Sequence, residues 1–180
     1  MIEAAADAFE REGFSGAGLA AILEASDAPR GSLYFHFPGG KEELAIAAVD
    51  ASATRLALDL TSVLRSSKSA SAGLVRVVEL LADRLEAASF EKGCPITSVV
   101  AASSGAPEPV RSAVIDAISV LEASLAAFLV RNGHAERDAA GLATVTLSAI
   151  EGALLLARIR RSREPLTRVA RAIPSILGDA

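Results

Sequence analysis

One cysteine, Cys94, occurs among 180 residues, so an intrachain disulfide is excluded and a reducing cytoplasm is the expected setting. Tryptophan is absent, and tyrosine and methionine occur once each. The core must therefore be mostly aliphatic. Only two histidines are present, His36 and His134, in different parts of the chain. No metal-ligand spacing exists, and neither a catalytic residue nor a metal or cofactor is expected. No run alternates polar and apolar residues long enough to suggest a sheet. No signal peptide is visible. Positive charge is scarce at one end: residues 1–44 hold three Lys/Arg (Arg11, Arg30, Lys41) against eight Asp/Glu, a local net of −5 in a chain of net −4. A DNA-binding segment should carry a basic face, so charge alone argues against one here.

The residues that are present favour helices. The chain is 51% hydrophobic, and its commonest residues, alanine and leucine, are strong helix formers. Its length allows one or two small domains with a proper core. The most apolar stretch, Ala139 to Ala157, is about as long as a membrane span. Glu151 near its middle, with Thr144, Thr146 and Ser148, points instead to a helix between protein surfaces, with no membrane partner.

Periodicity and breakers divide the chain into about nine helices, an all-α bundle joined to a small helix-turn-helix head. Ile2, Ala5, Ala6 and Phe9 share one face of a first helix that Gly13 ends near Glu12. A second short helix spans Leu19 to Ala25, capped by Ser15 or weakly capped. Ser26-Asp27-Ala28 makes a tight turn, and Pro29 fits the first turn of a third helix. Five of the seven aromatics lie in the first 37 residues, with Phe9, Phe14 and Phe37 as core. Gly39-Gly40 precedes a long fourth helix from Lys41 to about Arg65, and a serine-rich linker follows. A fifth helix carries Leu74, Val77, Val78, Leu81 and Leu85 on one stripe. A short sixth starts after Gly93-Cys94-Pro95 and ends near Gly105. The seventh runs from Pro107 and Pro109 to Asn132-Gly133, and the eighth from about Glu136 to Arg161. The ninth starts near Pro165 and is expected to kink or end at Pro174.

The densest motif is residues 30–44, in which a basic residue, a Gly-Ser pair, three aromatics and a histidine precede Pro-Gly-Gly-Lys-Glu-Glu-Leu. With Ala5, Ala6 and Phe9, then Gly13-Phe14 and the Ile22 helix, the order over residues 2–46 resembles the TetR family of transcription repressors. Phe37-Pro38-Gly39-Gly40-Lys41-Glu42-Glu43-Leu44, Gly93-Cys94-Pro95 and Glu151-Gly152-Ala153-Leu154 resemble its LmrA/YxaF-like branch. Asp27 stands where the family usually has glycine, Ala17-Gly18 where it has a cap, and Phe35 where tyrosine is frequent.

The resemblance implies a DNA-binding domain over residues 1–45 and a ligand-binding and dimerisation domain over 46–180. It also implies a DNA surface of Arg30, Gly31, Ser32, Tyr34, Phe35, His36 and Lys41, with Arg30, Ser32, Tyr34, His36 and Lys41 on a common face. Arg30 can bond guanine bidentately. Small Gly31 and Ser32 allow close approach, and Tyr34 and His36 can donate to phosphates. Lys41 adds charge at a helix N-terminus, where Glu42 and Glu43 are capping residues. The acids Glu3, Asp7, Glu10, Glu12 and Glu24 sit on helices that need not face DNA. The chain also opens inside its first helix, and a basic arm ahead of it would relieve the charge conflict.

The implied partners are double-stranded palindromic operator DNA, a second copy joined through helices eight and nine, and a small apolar effector that releases DNA. The aromatic character of that effector comes from the family branch alone. The pocket walls are expected from Leu60, Leu64, Leu81, Leu85, Phe90, Cys94, Ile96, Val99, Phe128, Leu147 and Leu155, with Ser148 and Glu151 among the polar groups that orient a guest. Glu151 has three readings: a ligand bond, an arginine partner, or water. Cys94 reads as buried packing near that pocket rather than a reactive thiol. The dimer stripe is expected to be Leu142, Val145, Thr146, Ala149, Gly152, Ala153 and Leu156. The arginines at 158, 160, 161 and 163 read as solvated or interfacial rather than as a nucleic-acid patch. A different class remains open, a helical enzyme or small-molecule carrier centred on Cys94 or Glu151.

Overall fold

The computed structural model describes residues 1–101 and 105–178, with Arg30 described for its backbone only. Among these residues the chain forms nine helices and no strand. They are α1 (Ile2–Gly16), α2 (Leu19–Ala25), α3 (Arg30–His36), α4 (Lys41–Arg65), α5 (Ala70–Ala87), α6 (Ser98–Ala101), α7 (Glu108–Arg131), α8 (Glu136–Arg160) and α9 (Glu164–Leu177). Two compact units result: Met1–Leu56 with Lys92–Ile118, and Ala57–Glu91 with Ser119–Ala180. The division falls within α4, after α5 and within α7. The head expected over residues 1–45 lies wholly inside the first unit.

In the first unit, α1 buries Ala5 and Phe9 completely. It runs further than Glu12, because Gly13 bends the chain without stopping it. At φ 71° and ψ 175° Gly13 leaves the helical region alone, as only glycine does cheaply. The Ala17 amide then donates to the Gly13 carbonyl at 3.1 Å and closes one more turn. Phe14, beyond the kink, stacks on Phe9 with ring centres 6.0 Å apart. Helix α6 packs on α1 and buries Ser98 and Val99. The stretch 102–104, before the expected end of this helix near Gly105, lies outside the described residues.

The second unit is built on α5, α8 and α9, which pack on one another. The linker ends in the cap of α5: Ser69 Oγ accepts from the Ala72 amide at 3.2 Å. On α5, Leu74, Val77, Val78 and Leu85 are buried and Leu81 is half-buried. Helix α8 ends in Arg161, whose left-handed φ of 49° lets its amide reach the Ala157 and Arg158 carbonyls. Pro174 neither ends nor breaks α9, which continues to Leu177 with Gly178 as its left-handed cap. So close to the C-terminus a proline removes one N–H, and the cap amide of Gly178 still reaches the Pro174 and Ser175 carbonyls.

The arginine run is largely spent inside its own unit. Arg161 donates to the Ser89 carbonyl at 3.1 Å. Arg163 pairs with Glu86 at 2.7 Å and Asp83 at 3.0 Å. Arg160 and Arg168 both pair with Glu164. The turn between α8 and α9 is thereby clasped to the end of α5.

Helices α7 and α8 are both long and apolar enough to cross a membrane by length and composition. On α8 the apolar residues form two opposite stripes. Ala139, Ala143, Thr146, Ile150, Ala153, Leu154 and Ala157 are buried. Val145, Ser148, Gly152, Leu155, Leu156 and Ile159 are exposed, at the three- and four-residue steps of one helix face. Thr146 and Ala153, expected on the dimer stripe, thus belong to the interior of the subunit. Leu155 and Ser148, expected as pocket lining, lie on the outward stripe instead.

Candidate nucleic-acid interface

Helices α2 and α3 are joined by a turn with closed hydrogen bonding. The Ser26 amide donates to Ile22, Asp27 to Glu24 and Ala28 to Leu23, all at 3.0–3.1 Å. Asp27 takes the left-handed conformation at φ 51° that its place in the motif demands. The cap of α2 is Gly18, which offers no side-chain bond; Ser15 does not serve. Position relies instead on packing, with Ile22 at 1% exposure and Leu33 of α3 at 0%.

Burial of Leu33 fixes which way α3 presents its other residues. Successive residues turn by about 100°. The side opposite Leu33 therefore carries Gly31 and Phe35, both exposed. Ser32 and His36 fall on one flank and Tyr34 on the other. Ser32, Tyr34 and His36 do not share the common face expected of them: they flank a ridge whose centre is Gly31 and Phe35. The Arg30 side chain lies outside what is described. Tyr34 is 63% exposed and Phe35 79%, and the Phe35 and His36 rings meet edge to face at 4.9 Å. Phe37 is half-buried, consistent with a core role.

Ser32 Oγ donates to the Pro29 carbonyl at 2.7 Å. Its one proton is thus placed internally, and it offers the outside an acceptor, which suits a base amine better than a phosphate.

Beyond α3, Gly40 is buried at φ 66° and carries the chain into α4. Glu43 accepts from the Gly39 amide at 2.8 Å, so this acid caps the helix start. Lys41 is half-buried, its Nζ 4.8 Å from the centre of the Phe14 ring. Burial pulls its pKa below 10.5, and the Glu12 carboxylate partly offsets that.

The acidic balance of the head is met in part by two cations from outside residues 1–44, Arg55 and Lys92. Glu3 pairs with Arg55 at 3.1 Å. Asp7 pairs with Lys92 and, at 3.0 Å, with Arg11. Burial pushes the Asp7 carboxyl up, but the Lys92 and Arg11 bonds outweigh it and hold the pKa below the usual carboxylate value. The Asp7–Lys92 pair was not foreseen, since 85 residues separate them and no motif joins them.

The residues expected to line a ligand site divide between the units. Cys94, Ile96 and Val99 are buried in the first. In the second, Leu85 and Phe128 are buried, while Leu60, Leu64, Leu81, Phe90, Leu147 and Glu151 are half-buried. Leu64 and Phe128 converge on Gly73 of α5, where a Cβ would lie 3.0 and 3.1 Å from them. Thr146, among the small polar residues of α8, lies on the inward stripe and not on the expected dimer stripe. It is 1% exposed, and its Oγ1 has no hydrogen-bond partner among the described residues.

Comparison with known proteins agrees with this geometry. Residues 1–48 match the family of bacterial regulatory proteins, tetR family, and residues 70–172 match the transcriptional regulator LmrA/YxaF-like C-terminal domain. The HTH-type transcriptional regulator LmrA of Bacillus subtilis (strain 168) is 30% identical over 98% of this chain and 94% of its own. The uncharacterized HTH-type regulator YxaF of the same organism is 32% identical over 98% and 93%. The regulatory protein TetR from Rhodobacter sphaeroides shares the fold with a TM-score of 0.86, at 23% identity over 97% of this chain and 95% of that one. A cysteine mutant of the TetR family regulator CifR, solved with 26-bp double-strand operator DNA, gives 0.73 at 29% identity over 98% and 93%. The chain belongs to the TetR family of transcriptional regulators, with a C-terminal domain of the LmrA/YxaF-like type. Its relatives are named as regulators, not as enzymes or carriers.

Proposed function

We propose that this regulator is a repressor that binds a palindromic operator as a homodimer and leaves it when a small apolar effector binds. Residues 1–45 read the DNA, and residues 46–180 sense and dimerise. The observation that carries the reading is α3: Leu33 anchors it, and Gly31, Tyr34, Phe35 and His36 are left exposed on it. Phosphate contacts fall to Tyr34, His36 and Lys41. Arg30 is assigned to a base by its place in the motif.

The outward stripe of α8 supports dimerisation. Val145, Leu155, Leu156 and Ile159 are exposed around Gly152, a position where no atom lies within 4 Å of a Cβ. Soluble proteins rarely leave a contiguous apolar stripe in water. A second copy is the cover proposed here, with two heads about 34–36 Å apart on DNA. An aromatic effector remains the family-based expectation. The half-buried leucines of the second unit suit an apolar guest. Effector and DNA must then weaken one another by the same factor.

The test is capture and sequencing of genomic DNA fragments bound by the purified protein, followed by anisotropy titrations of the enriched duplex at several salt concentrations. A palindromic site whose affinity falls steeply with salt is expected. Absence of any enriched sequence would sink the reading.

A further inference from the structure

Phe35 is the most exposed large apolar side chain among the described residues, at 79%. It stands at the centre of the outward ridge of α3, where water contact is costly for a phenyl ring. The ring has no donor or acceptor, so it can bond neither a phosphate nor the polar edge of a base. Its one ring contact among the described residues is with His36, 4.9 Å away and at 87°, which leaves most of the ring outward. Gly31 lies four residues earlier on the same side, and a Cβ there would meet nothing within 4 Å. No internal contact demands glycine at that position, and glycine weakens a helix relative to alanine. Its use is therefore external: a notch beside an apolar knob.

We infer that Phe35 and the Gly31 notch read the C5-methyl group of a thymine in each operator half-site. This rests on the operator-binding reading above. In the major groove the thymine methyl is the apolar feature that distinguishes one base from the other three. A phenyl ring recognises it by contact alone, and the absent Cβ of Gly31 makes room for the base edge. Where tyrosine would put a hydroxyl, phenylalanine presents only carbon.

The experiment uses the intact protein and the enriched operator. Each thymine of the half-site is replaced in turn by deoxyuridine, which keeps base pairing and removes only the methyl. The wild type should lose about fourfold in affinity at one thymine per half-site, the factor for one buried carbon. Phe35→Ala should bind the thymine duplex at least as weakly as wild type binds the deoxyuridine duplex, and should be indifferent to that replacement. Gly31→Ala should also bind more weakly while unfolding at an equal or higher temperature. Indifference of the wild type to every deoxyuridine overturns the inference, as does an undiminished penalty in Phe35→Ala. Neither result touches the operator-binding reading, which falls if no sequence is enriched by the wild type.

Discussion

Lys41 shows how a single side chain serves two environments. Its ammonium lies over Phe14, and burial holds its pKa below 10.5. The charged form is thus disfavoured in the fold, a cost present below the folded pKa and relieved as pH rises toward 10.5. A phosphate beside it would favour the charge again. Lys41→Ala should weaken all DNA sequences alike and make the salt slope shallower by about one charge, read from titrations at several salt concentrations. Thr146 poses the opposite case, a hydroxyl at 1% exposure with no bonding partner among the described residues. An unsatisfied buried group costs about 1–3 kcal/mol, while an apolar isostere is neutral or better. Thr146→Val should therefore raise the urea midpoint. A fall in that midpoint would mean that the hydroxyl is bonded in solution.

At the scale of the element, α1 is held by the Asp7–Lys92 and Asp7–Arg11 pairs as well as by Ala5 and Phe9. Asp7 has a depressed folded pKa, so its contribution is present above the unfolded carboxylate pKa and is lost as pH falls through the folded value. The pairs are part-exposed and contribute about 0.2–1 kcal/mol each. Asp7→Asn should lower stability slightly at pH 7 and flatten the acid limb of the unfolding curve, as followed by circular dichroism. Helix boundaries were legible wherever local chemistry sets them: α2 matches its expected span, and the Lys41 start and Arg65 end of α4 follow from Gly39-Gly40 and the serine linker. Gly13 was legible as a break but not as a kink, because whether a helix resumes depends on what Phe14 finds to stack on. On α3 the exposed residues were legible by type, but their grouping was not. A face is set by the residue that is buried, and Leu33 places Gly31 and Phe35, not Ser32 and Tyr34, at its centre. The inward place of Thr146 and Ala153 was not legible for the same reason, since a helix with apolar residues on two opposite sides does not say which stripe turns inward.

For the whole molecule, Gly152→Arg would place a charge in the outward stripe of α8 without an internal clash. It should sediment as a monomer at micromolar concentration and lose tight operator binding while keeping its helical spectrum. Wild type sedimenting as a monomer would remove the dimer from the proposal. Each compact unit is assembled from two separate stretches of chain, with the first needing residues 92–118 to join residues 1–56. During synthesis the part of α1 that packs on α6 must therefore wait for that helix, whose first residue is Ser98. At roughly 5–20 residues per second that delay lasts several seconds. Through that interval α1 has only the Arg11 partner of Asp7 and lacks both Lys92 and the packing of α6.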